Sequence, residues 1–519
     1  MIDHNEQDVR SKSLYNPRMK PNLPNVLNVK RTILFSLSFF TVLMAWFYFN
    51  FKVPLILDDL LSKAGISAIQ TIKGLIMAVD NLVAVIVQPF FGNLSDRTKS
   101  KYGRRMPFIM IGTILSAIFF SIIPIFGFLG NQIDDPQANA AKLLQLIVGL
   151  IIIILLFDIS MATFRSISIA ILPDYTPDNV RSKGSAIQQF IANIGGVLSF
   201  VIIFIVGRFT FSEDNPLGDL LGFLIISIAM ILALIVQLIK IKETPTGDKF
   251  FEKNILPFAL NPIDFTVQEK KTIKDGKELE ERESLSVMLK EIFNAEDKSF
   301  RNMLFVVFFA YSAFAAIEAF FSSFATIYMG KTEGVAATLF LAYSIPMILT
   351  AYFWGLLGQK FGRKKAARFG LFGIVIGALL FIVLVVPNAS SPIPKSEDYL
   401  DKWDYLVMLN LAIVSMAWMC FIVNSFPIIW ALAPKGRIGA YTGIYYTFNQ
   451  FAYTVAPILA GLNLDYFAES GTAQYLALFP LVLVLVIISF LFMLRVKSGD
   501  KQLSEDEIKE YREKYQEAD

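Results

Sequence analysis

The chain has 519 residues, of which 55% are hydrophobic and 18% are charged, and its mean hydropathy is +0.55. Chains of this length with so many apolar residues are typically polytopic membrane proteins, so the composition argues against a soluble globular protein. The net charge of +3 comes from segregated charges, which argues against nucleic-acid binding. The chain has one Cys (Cys420) and one His (His4), so it can form neither an intramolecular disulfide nor a His/Cys metal site. We therefore expect no cofactor and no enzymatic chemistry.

Residues 1–30 are polar and lack an apolar core, so we expect a cytoplasmic tail there and not a cleavable signal peptide. The apolar segments that follow are each close to the roughly 20 residues that a bilayer core requires. Twelve qualify, near 31–57, 67–92, 107–129, 143–171, 186–207, 217–240, 301–329, 334–358, 366–386, 404–432, 437–463 and 473–495. They predict an all-α membrane protein of twelve transmembrane helices. One six-helix bundle covers 31–240, a second covers 301–496, and a cytoplasmic tail covers 497–519.

The loops between the predicted spans alternate in charge. Those after the second, fourth, eighth and tenth spans are basic, as with Arg181 and Lys183, and the opposite loops are acidic or mixed, as with Asp58 and Asp59. Lys and Arg are enriched in cytoplasmic loops. Both termini are therefore expected in the cytoplasm of a multi-pass protein of the cell membrane.

One basic turn occurs twice in the chain. Gly92–Pro107 reads GNLSDRTKSKYGRRMP, and Gly355–Lys365 reads GLLGQKFGRKK at the corresponding place in the second half. In this alignment Gly103 corresponds to Gly362. A basic turn repeated at matching positions predicts an internally duplicated transporter.

A polar segment, 241–300, separates the sixth and seventh spans, and we interpret it as a cytoplasmic linker between the two bundles. Within it, Lys274–Lys277 predicts a turn, and Ser284 could cap a short amphipathic helix on the inner membrane surface. A further surface helix is predicted over 504–517, where Ser504 begins a capping box.

Ionisable side chains at membrane depth are costly, so each is a candidate functional residue. Asp80 lies about halfway along the second span, Asp158 follows the run IIIILLF of the fourth, and Arg165 lies seven residues later. Glu318 lies in the seventh span. Seven residues advance a helix by about 10 Å, so Asp158 and Arg165 are too far apart for a simple ion pair, and each is expected to find a partner on another helix or a ligand. The alternative for each acid is a structural hydrogen bond between helices.

We predict proton coupling through Asp80, with Asp158, because no histidine lies in the membrane and a desolvated carboxyl group can load and release a proton. Lys52 and Lys73 also interrupt apolar segments. Lys52 lies far enough along its span to reach the outer interface by snorkelling, and Lys73 begins its span near the same face. Neither is therefore assigned to a site.

Amide and aromatic side chains accompany the charges in several spans, Trp46 and Tyr453 among them. Aromatic rings that stack on apolar sugar faces, with amides and charges that order hydroxyl groups, suit a carbohydrate site, although single aromatics more often serve packing. The predicted substrate-binding residues are Asn50, Asp80, Asn81, Arg165, Glu318, Trp418, Asn424, Tyr446 and Asn449.

The basic turn predicts a conformational role. Asp96 and Arg97 end the second span, where they can pair with helix ends and with Arg104 and Arg181. Such a latch would stabilise the outward-open state and would not bind substrate. In the second copy Gln359 replaces the acid, so the latch is expected to be asymmetric.

Several stretches carry a resemblance to a known family. They are Asp80-Asn81, Gln88-Pro89, GNLSDRTKSKYGRRMPF and LPDYTPDNVRSKGSAI, and in the second half AWMCFIVNSFPIIWAL and GAYTGIYYTFNQFAYTVAPILAG. They resemble the glycoside–pentoside–hexuronide:cation symporters and, more narrowly, the sucrose/maltose-transporter branch. The resemblance implies a major facilitator fold of two six-helix bundles, alternating access around a central sugar site, and uphill uptake driven by a coupled cation.

The chain departs from that family at two places. The melibiose carrier has two acids on its second helix for sodium, and here Gln88 and Ala84 stand at those positions, so a proton is the expected coupling ion. Plant sucrose carriers place an Arg close to the acidic residue after the fourth helix. Here Ile169 stands in its place and Arg165 lies one turn deeper, which leaves open whether Arg165 takes over that role.

The leading interpretation is a proton-coupled importer of a sucrose- or maltose-like disaccharide or related glycoside. Its partners would be a small sugar, a proton and the lipid bilayer, and it would act as a monomer. A sodium-coupled sugar symporter is one alternative. A major facilitator carrier of an amphiphilic lipid or drug is another, and it would require a cavity lined mainly by apolar residues. A membrane sensor that signals through 241–300 ranks last, because nothing in that segment resembles a receiver or kinase element.

Overall fold

The computed structural model describes residues 27–98, 100, 102–174, 181–209, 217–241, 273–274, 277–278, 285–385, 400–433 and 438–499. Twelve long helices lie within these ranges. They are α1 (Val29–Lys63), α2 (Ile69–Arg97), α3 (Met106–Asn131), α4 (Ala140–Asp174), α5 (Arg181–Phe209), α6 (Leu217–Lys240), α7 (Ser299–Ser323), α8 (Glu333–Phe361), α9 (Arg363–Val385), α10 (Lys402–Leu432), α11 (Ile438–Tyr466) and α12 (Leu478–Leu494). A π-helical turn, Phe324–Tyr328, extends α7, and a 3-10 segment, Ala468–Ala477, precedes α12.

The predicted all-α architecture is confirmed. Eleven helices in the described ranges are long and apolar enough to cross a membrane. The remaining one, α11, has 29 residues and carries a row of Tyr, Thr, Asn and Gln side chains. A membrane-spanning helix tolerates such residues where it faces other helices or a cavity, and α11 packs along α2 of the other half.

The two halves repeat one packing plan. The pairs α1–α5, α2–α4, α3–α4 and α3–α6 of the first half correspond to α7–α11, α8–α10, α9–α10 and α9–α12 of the second. Equivalent turns also share a backbone conformation, because Gly103 and Gly362 have φ of 96° and 101°. Only glycine adopts these angles without strain. The predicted correspondence of the two basic turns is therefore matched by their geometry.

In the described residues the halves meet mainly along three pairs of helices, α2 with α11, α5 with α8 and α1 with α7. We call the face where α1 begins and α12 ends the terminal face, and the opposite one the distal face. Close glycine contacts lie near the distal face, where a Cβ at Gly74 would lie 2.2 Å from the Pro457 carbonyl oxygen and one at Gly207 would lie 2.9 Å from the Gly334 nitrogen. The backbones of the two halves thus touch directly on the distal side.

The linker contains two of the predicted elements. Strands β1 (Ile273–Lys274) and β2 (Lys277–Glu278) pair antiparallel with Lys274 opposite Lys277, as a turn at that point requires. The amphipathic helix covers Leu285–Asn294 and packs on the second half, with Ile292 only 3% exposed. At Ile292, the apolar face of this helix is therefore covered by the second half of the protein. The helix predicted over 504–517 lies outside the described residues.

The glycine contact between α2 and α11 predicts a difference between two glycines of one helix. Gly74→Ala forces α2 and α11 apart, and we expect destabilisation of about 1–3 kcal/mol, typical of overpacking. Gly92→Ala meets nothing within 4 Å and removes a glycine from a helix interior, so it should be neutral or stabilising by up to about 1 kcal/mol. Thermal unfolding of the purified protein in detergent measures both. Equal melting temperatures for the two variants would contradict the close contact.

Candidate functional site

Six side chains from α1, α2, α4 and α7 form a polar group between the two halves. We call it the central cluster, and it comprises Trp46, Asn50, Asp80, Asp158, Arg165 and Glu318. Trp46 and Asn50 lie one turn apart on α1, so both side chains project from the same side of that helix. Five of the six were predicted as site residues, and Trp46 was noted beside them.

A hydrogen bond within the cluster joins the two halves. The Asn50 amide Nδ2 donates to Glu318 Oε1 over 2.7 Å, from α1 of the first half to α7 of the second. The Arg165 guanidinium lies over the Trp46 ring, with Cζ 4.5 Å from the ring centroid, a favourable cation–π distance. Arg165 also interacts electrostatically with both Glu318 and Asp80. One cation thus interacts with an acid of each half.

The two acids of the first half are buried without full compensation. Asp80 is 5% exposed and Asp158 is 1% exposed, and the two interact electrostatically with each other. Among the described residues, neither oxygen of Asp158 has a hydrogen-bond partner, and Oδ2 of Asp80 has none. Burying an unpaired carboxylate is expensive, and two close carboxylates cannot both carry charge at low cost. This pair is chemically suited to take up a proton.

An aromatic wall from the second half stands beside the cluster. The Phe314 and Trp418 rings stack with centroids 5.0 Å apart and planes 5° apart, and Tyr311 meets Trp418 edge-on at 5.3 Å. Tyr343 and Tyr453 interact electrostatically with Glu318. Tyr343 was not predicted as a site residue. In the sequence, a tyrosine that lines a site within an apolar span cannot be told from a tyrosine that only packs against other helices. A cavity of about 140 Å³ lies between Glu318 and this wall.

Other predicted substrate-binding residues lie elsewhere. Asn424 donates from Nδ2 to the Cys420 carbonyl over 2.9 Å and to the Trp354 carbonyl over 3.3 Å, so its amide joins α10 to α8. Tyr446 is 52% exposed and packs against the Phe426 ring, away from the cavity. The structure does not bring these two residues to the central cluster, because their positions on α10 and α11 turn them toward other helices.

Asn81 and Asn449 are placed by the antiparallel register of α2 and α11. Gly74 lies against Pro457 and Gln70 against Gly461. Continuing this register sets Asn81 at the level of Asn449. Both side chains are buried, at 6% and 8% exposure. Asn81 follows Asp80 directly, so this pair lies at the height of the central cluster.

The predicted latch lies at the end of α2 and the start of α5. The side chains of Asp96, Arg97 and Arg181 lie outside the described part of the chain, so their pairing stays a prediction. The same turn is anchored by a different arginine, since Arg105 Nη1 donates to Ser95 Oγ over 2.6 Å.

Lys52 was predicted to reach the outer interface by snorkelling, and the structure contradicts this prediction. It is 2% exposed and forms ion pairs with Asp219 of α6 and Glu333 of α8. Glu333 begins the first helix turn of α8 in the second half, so this pair links the halves near the distal face. The expectation was wrong because carboxylates at the ends of two other helices approach Lys52, which sequence distance does not reveal.

A second inter-half network surrounds Lys73, which is fully buried. Its Nζ donates to both oxygens of Asp58 over 2.8 Å and to Ser323 Oγ over 2.9 Å. Ser323 in turn donates to Asp58 Oδ2 over 2.6 Å. Asp58 and Lys73 belong to the first half and Ser323 to the second. All charges in this network are therefore compensated within one set of hydrogen bonds.

The start of α2 is capped by the other half. No side chain of its own caps α2, and Asp465 at the end of α11 accepts from the backbone amides of Gln70 and Thr71 over 3.1 and 2.7 Å. A carboxylate at a helix N-terminus satisfies unpaired amides and interacts favourably with the helix dipole. Gln70 also donates to the Tyr475 hydroxyl over 3.0 Å. Together with the ion pairs, these contacts close the distal face, and we call them the distal network.

Comparison with known sequences defines the class of protein. Residues 35–336 and 303–514 match the Major Facilitator Superfamily, and the chain belongs to this superfamily of membrane transporters. It is therefore a transporter and not an enzyme.

The solved structure of a D-xylose-proton symporter is similar over 91% of this chain and 99% of that chain, with a TM-score of 0.64 at 14% identity. A bacterial homologue of the iron transporter ferroportin in an inward-facing state is similar over the same shares, with a TM-score of 0.62 at 12% identity. These likenesses confirm the fold of two helical halves.

More local similarities link the chain to named transporters. It is 30% identical over 123 residues to the sucrose transport protein SUC3 of Arabidopsis thaliana, which is 23% of this chain and 21% of that protein. It is 30% identical over 161 residues to the uncharacterized symporter sll1374 of Synechocystis sp., covering 30% and 27% of the two chains. It is 25% identical over 183 residues to the raffinose carrier protein of Pediococcus pentosaceus, covering 35% and 27%. The matches span about a quarter of these relatives' lengths.

The Lys73 network predicts a strong dependence of stability on charge balance. Lys73→Met leaves Asp58 buried without its cation, and we expect a loss of about 3–5 kcal/mol in the free energy of unfolding. The double variant Asp58→Asn, Lys73→Met should recover most of it. Chemical denaturation in detergent gives the double-mutant cycle. As a control, Lys63→Met breaks a partly exposed pair with Asp59 and should change stability by less than about 1 kcal/mol. An additive double variant would contradict direct pairing of Lys73 and Asp58.

Proposed function

We propose that the chain imports a disaccharide or related glycoside, sucrose- or maltose-like, together with a proton. The observation that carries the proposal is the central cluster, in which Arg165 lies between acids of both halves at the interface across which such transporters rearrange. The local similarities to a sucrose transport protein and a raffinose carrier protein support a sugar as the substrate. Membership of the sucrose/maltose-like branch of the glycoside–pentoside–hexuronide:cation symporters belongs to the same proposal.

The chemistry of the cluster suits a sugar. Glu318 accepts and Asn50 and Arg165 donate hydrogen bonds, and sugar hydroxyl groups can do both. The Trp418 ring lines the cavity and offers an apolar surface against which a pyranose ring can stack. A substrate bound there touches α1 and α4 of one half and α7 and α10 of the other. Its binding would therefore favour the state in which the two halves close around it.

Proton coupling would use the carboxyl groups of the first half. A proton on Asp80 would neutralise this carboxylate, so Arg165 would interact with Glu318 and the substrate instead. Loss of the proton would restore the negative charge and draw Arg165 back to Asp80. Asp158 lies next to Asp80 without a hydrogen-bond partner among the described residues, so it could pass the proton on. This exchange links substrate affinity to protonation by simple charge balance.

Alternating access would then require the distal network to break. In this conformation the distal face is closed by Lys52 with Glu333, by Lys73 with Ser323, and by Asp465. With both termini in the cytoplasm, as the basic loops predict, the distal face would be the outer one and this conformation would be closed to the outside. The Asp96 and Arg97 latch would be the opposing device on the inner side.

A second candidate is a carrier of an amphiphilic lipid or drug. The observation that favours it is the lining of the cavity beside Glu318, which is mostly apolar and includes Phe51, Phe321 and Phe340. The charged cluster at one end argues for a substrate with a polar head. Uptake of a radiolabelled sugar panel into energised vesicles, with and without a protonophore, separates these candidates and also separates proton from sodium coupling.

Replacing Asp80 tests the coupling. Asp80→Asn keeps the size and polarity of the side chain but cannot carry the proton, so sugar accumulation should be abolished while exchange down a gradient persists. Asp59→Asn, which changes a partly exposed acid at the distal end of α1, should accumulate sugar normally. Vesicle uptake and counterflow measure the two activities. Sodium-dependent accumulation that resists a protonophore would overturn this mechanism.

Replacing Arg165 and Glu318 tests the substrate network. Arg165→Lys keeps the charge but loses the planar fork and its stacking on Trp46, so apparent sugar affinity should fall roughly tenfold, equivalent to one charge-assisted hydrogen bond of about 1.5 kcal/mol. Glu318→Gln should also weaken it. Arg495→Lys, at another arginine over an aromatic ring, is the control and should leave affinity unchanged. Wild-type affinity in both site variants would show that the assignment is wrong.

A further inference from the structure

Near the distal face, two carboxylates share one buried ammonium group. The Lys52 side chain is 2% exposed, and its Nζ pairs with Asp219 of α6 and with Glu333 of α8. The side chains of these acids are 44% and 35% exposed, so water on the distal side reaches both. We call these three residues the Lys52 triad. With both acids ionised, the triad carries one negative charge in excess.

The neighbouring Lys73 network is balanced in charge. Lys73 pairs with Asp58, whose side chain is 8% exposed. Asp58 also accepts hydrogen bonds from Ser323 and Gln70, over 2.6 and 3.3 Å. A proton from solvent would therefore meet a matched and enclosed carboxylate in the Lys73 network, but an accessible carboxylate with excess negative charge in the Lys52 triad.

The charges of the triad are divided unevenly between the halves, since Lys52 and Asp219 belong to the first and Glu333 to the second. A proton on Glu333 would break the ion pair between the halves and leave Lys52 paired with Asp219. A proton on Asp219 would leave the link between the halves intact. The Tyr48 hydroxyl of α1 also faces the triad, and phenols stay neutral well below about pH 10.

The effect of acid on this link follows from the state in which the halves have separated there. Glu333 would then have lost its ammonium partner, and a carboxylate without a nearby cation binds a proton more readily. A proton that binds one state better shifts the equilibrium toward that state. Low pH should therefore favour separation of the halves at the distal face, and high pH should favour closure.

An aromatic contact between the halves lies beneath the triad. Phe340 follows Glu333 by about two turns of α8. The centroid of its ring is 5.1 Å from that of Phe51 and 4.8 Å from that of Phe200, both in the first half. All three rings line the cavity beside the central cluster. Movement of the start of α8 away from Lys52 would separate these rings and open the cavity toward the distal face.

We propose that the Lys52 triad is a proton-binding site that releases the distal closure. A proton from the distal side adds to the Glu333 carboxylate, the ion pair of Glu333 with Lys52 breaks, and Lys52 stays with Asp219. The aromatic contact beneath the triad then opens. This site is separate from the acids of the central cluster. It goes beyond the proposed function, because it acts on the closure of the distal face whatever the substrate is.

The distance between two spin labels tests the proposal in the purified protein. One label is placed at Gln132, after α3 of the first half, and the other at Ser470 of the second half, and both positions are exposed. Cys420→Ser removes the native thiol. Double electron–electron resonance gives the fraction of molecules with a long distance between the labels. We expect this fraction to rise about threefold from about pH 8 to about pH 5, as loss of one partly exposed ion pair predicts.

Two variants of the triad should act in opposite directions. Glu333→Gln removes the ion pair between the halves, so the long-distance fraction at about pH 8 should already match that of the wild type at about pH 5. Asp219→Asn leaves Lys52 with Glu333 alone. A proton on Glu333 would then strand a buried ammonium group, so the fraction should stay low at both pH values. Asp59→Asn, which removes an acid paired within α1, is the control and should behave like the wild type.

The variants also separate this site from the central cluster. The wild-type pH response should persist in Asp80→Asn. Loss of the response in Asp80→Asn together with its retention in Glu333→Gln would place the proton at the central cluster and overturn the proposal. A change in the same direction in Glu333→Gln and Asp219→Asn would show a purely structural triad, and the proposal would also fail. If Asp219→Asn does not fold, the pH response of Glu333→Gln decides the question by itself.

Discussion

The cost of placing charge inside a bilayer organises this molecule. A charged side chain at membrane depth must find an opposite charge, collect hydrogen bonds or give up its charge. Lys52 and Lys73 follow the first course, since Lys52 pairs with two carboxylates and Lys73 with one. Asp158 has no such partner among the described residues. The contrast separates buried charges that are paired and hold the structure together from buried carboxyl groups without a full set of partners among the described residues.

This division falls along the membrane normal. Near the distal face the charges are paired and the pairing crosses between the halves, as in Lys52 with Glu333. At the level of the central cluster the compensation is incomplete, and one arginine serves acids of both halves. Paired charges lock a conformation, whereas incompletely compensated charges respond to a proton or a ligand. A transporter needs both, because one end must stay shut while the centre binds.

The distal closure is extensive but not a continuous apolar core. It combines direct backbone contact at Gly74 and Gly207 with hydrogen bonds such as those that the first backbone amides of α2 donate to Asp465. Glycine contacts leave no interlocking side chains, and polar groups can exchange their partners for water when the halves separate. An interface of this kind can open without unfolding either half, because each half keeps its own packing of α1 with α5 or α7 with α11.

The sequence by itself determined the elements and the candidates. Apolar segments of the length of a bilayer, alternating loop charge and the repeated glycine of the basic turns predicted two related helical halves, and membrane-depth charges singled out Asp80, Asp158, Arg165 and Glu318. These signals are local, because each depends on a few neighbouring residues and on the thickness of the membrane. Only the tertiary structure decided which charges neutralise one another. Lys52 and Glu333 lie 281 positions apart in the chain and form an ion pair, and Asn424 turns toward a helix backbone instead of a ligand. Which way a helix faces its neighbours depends on the packing of the whole bundle, and no short stretch of sequence contains that information.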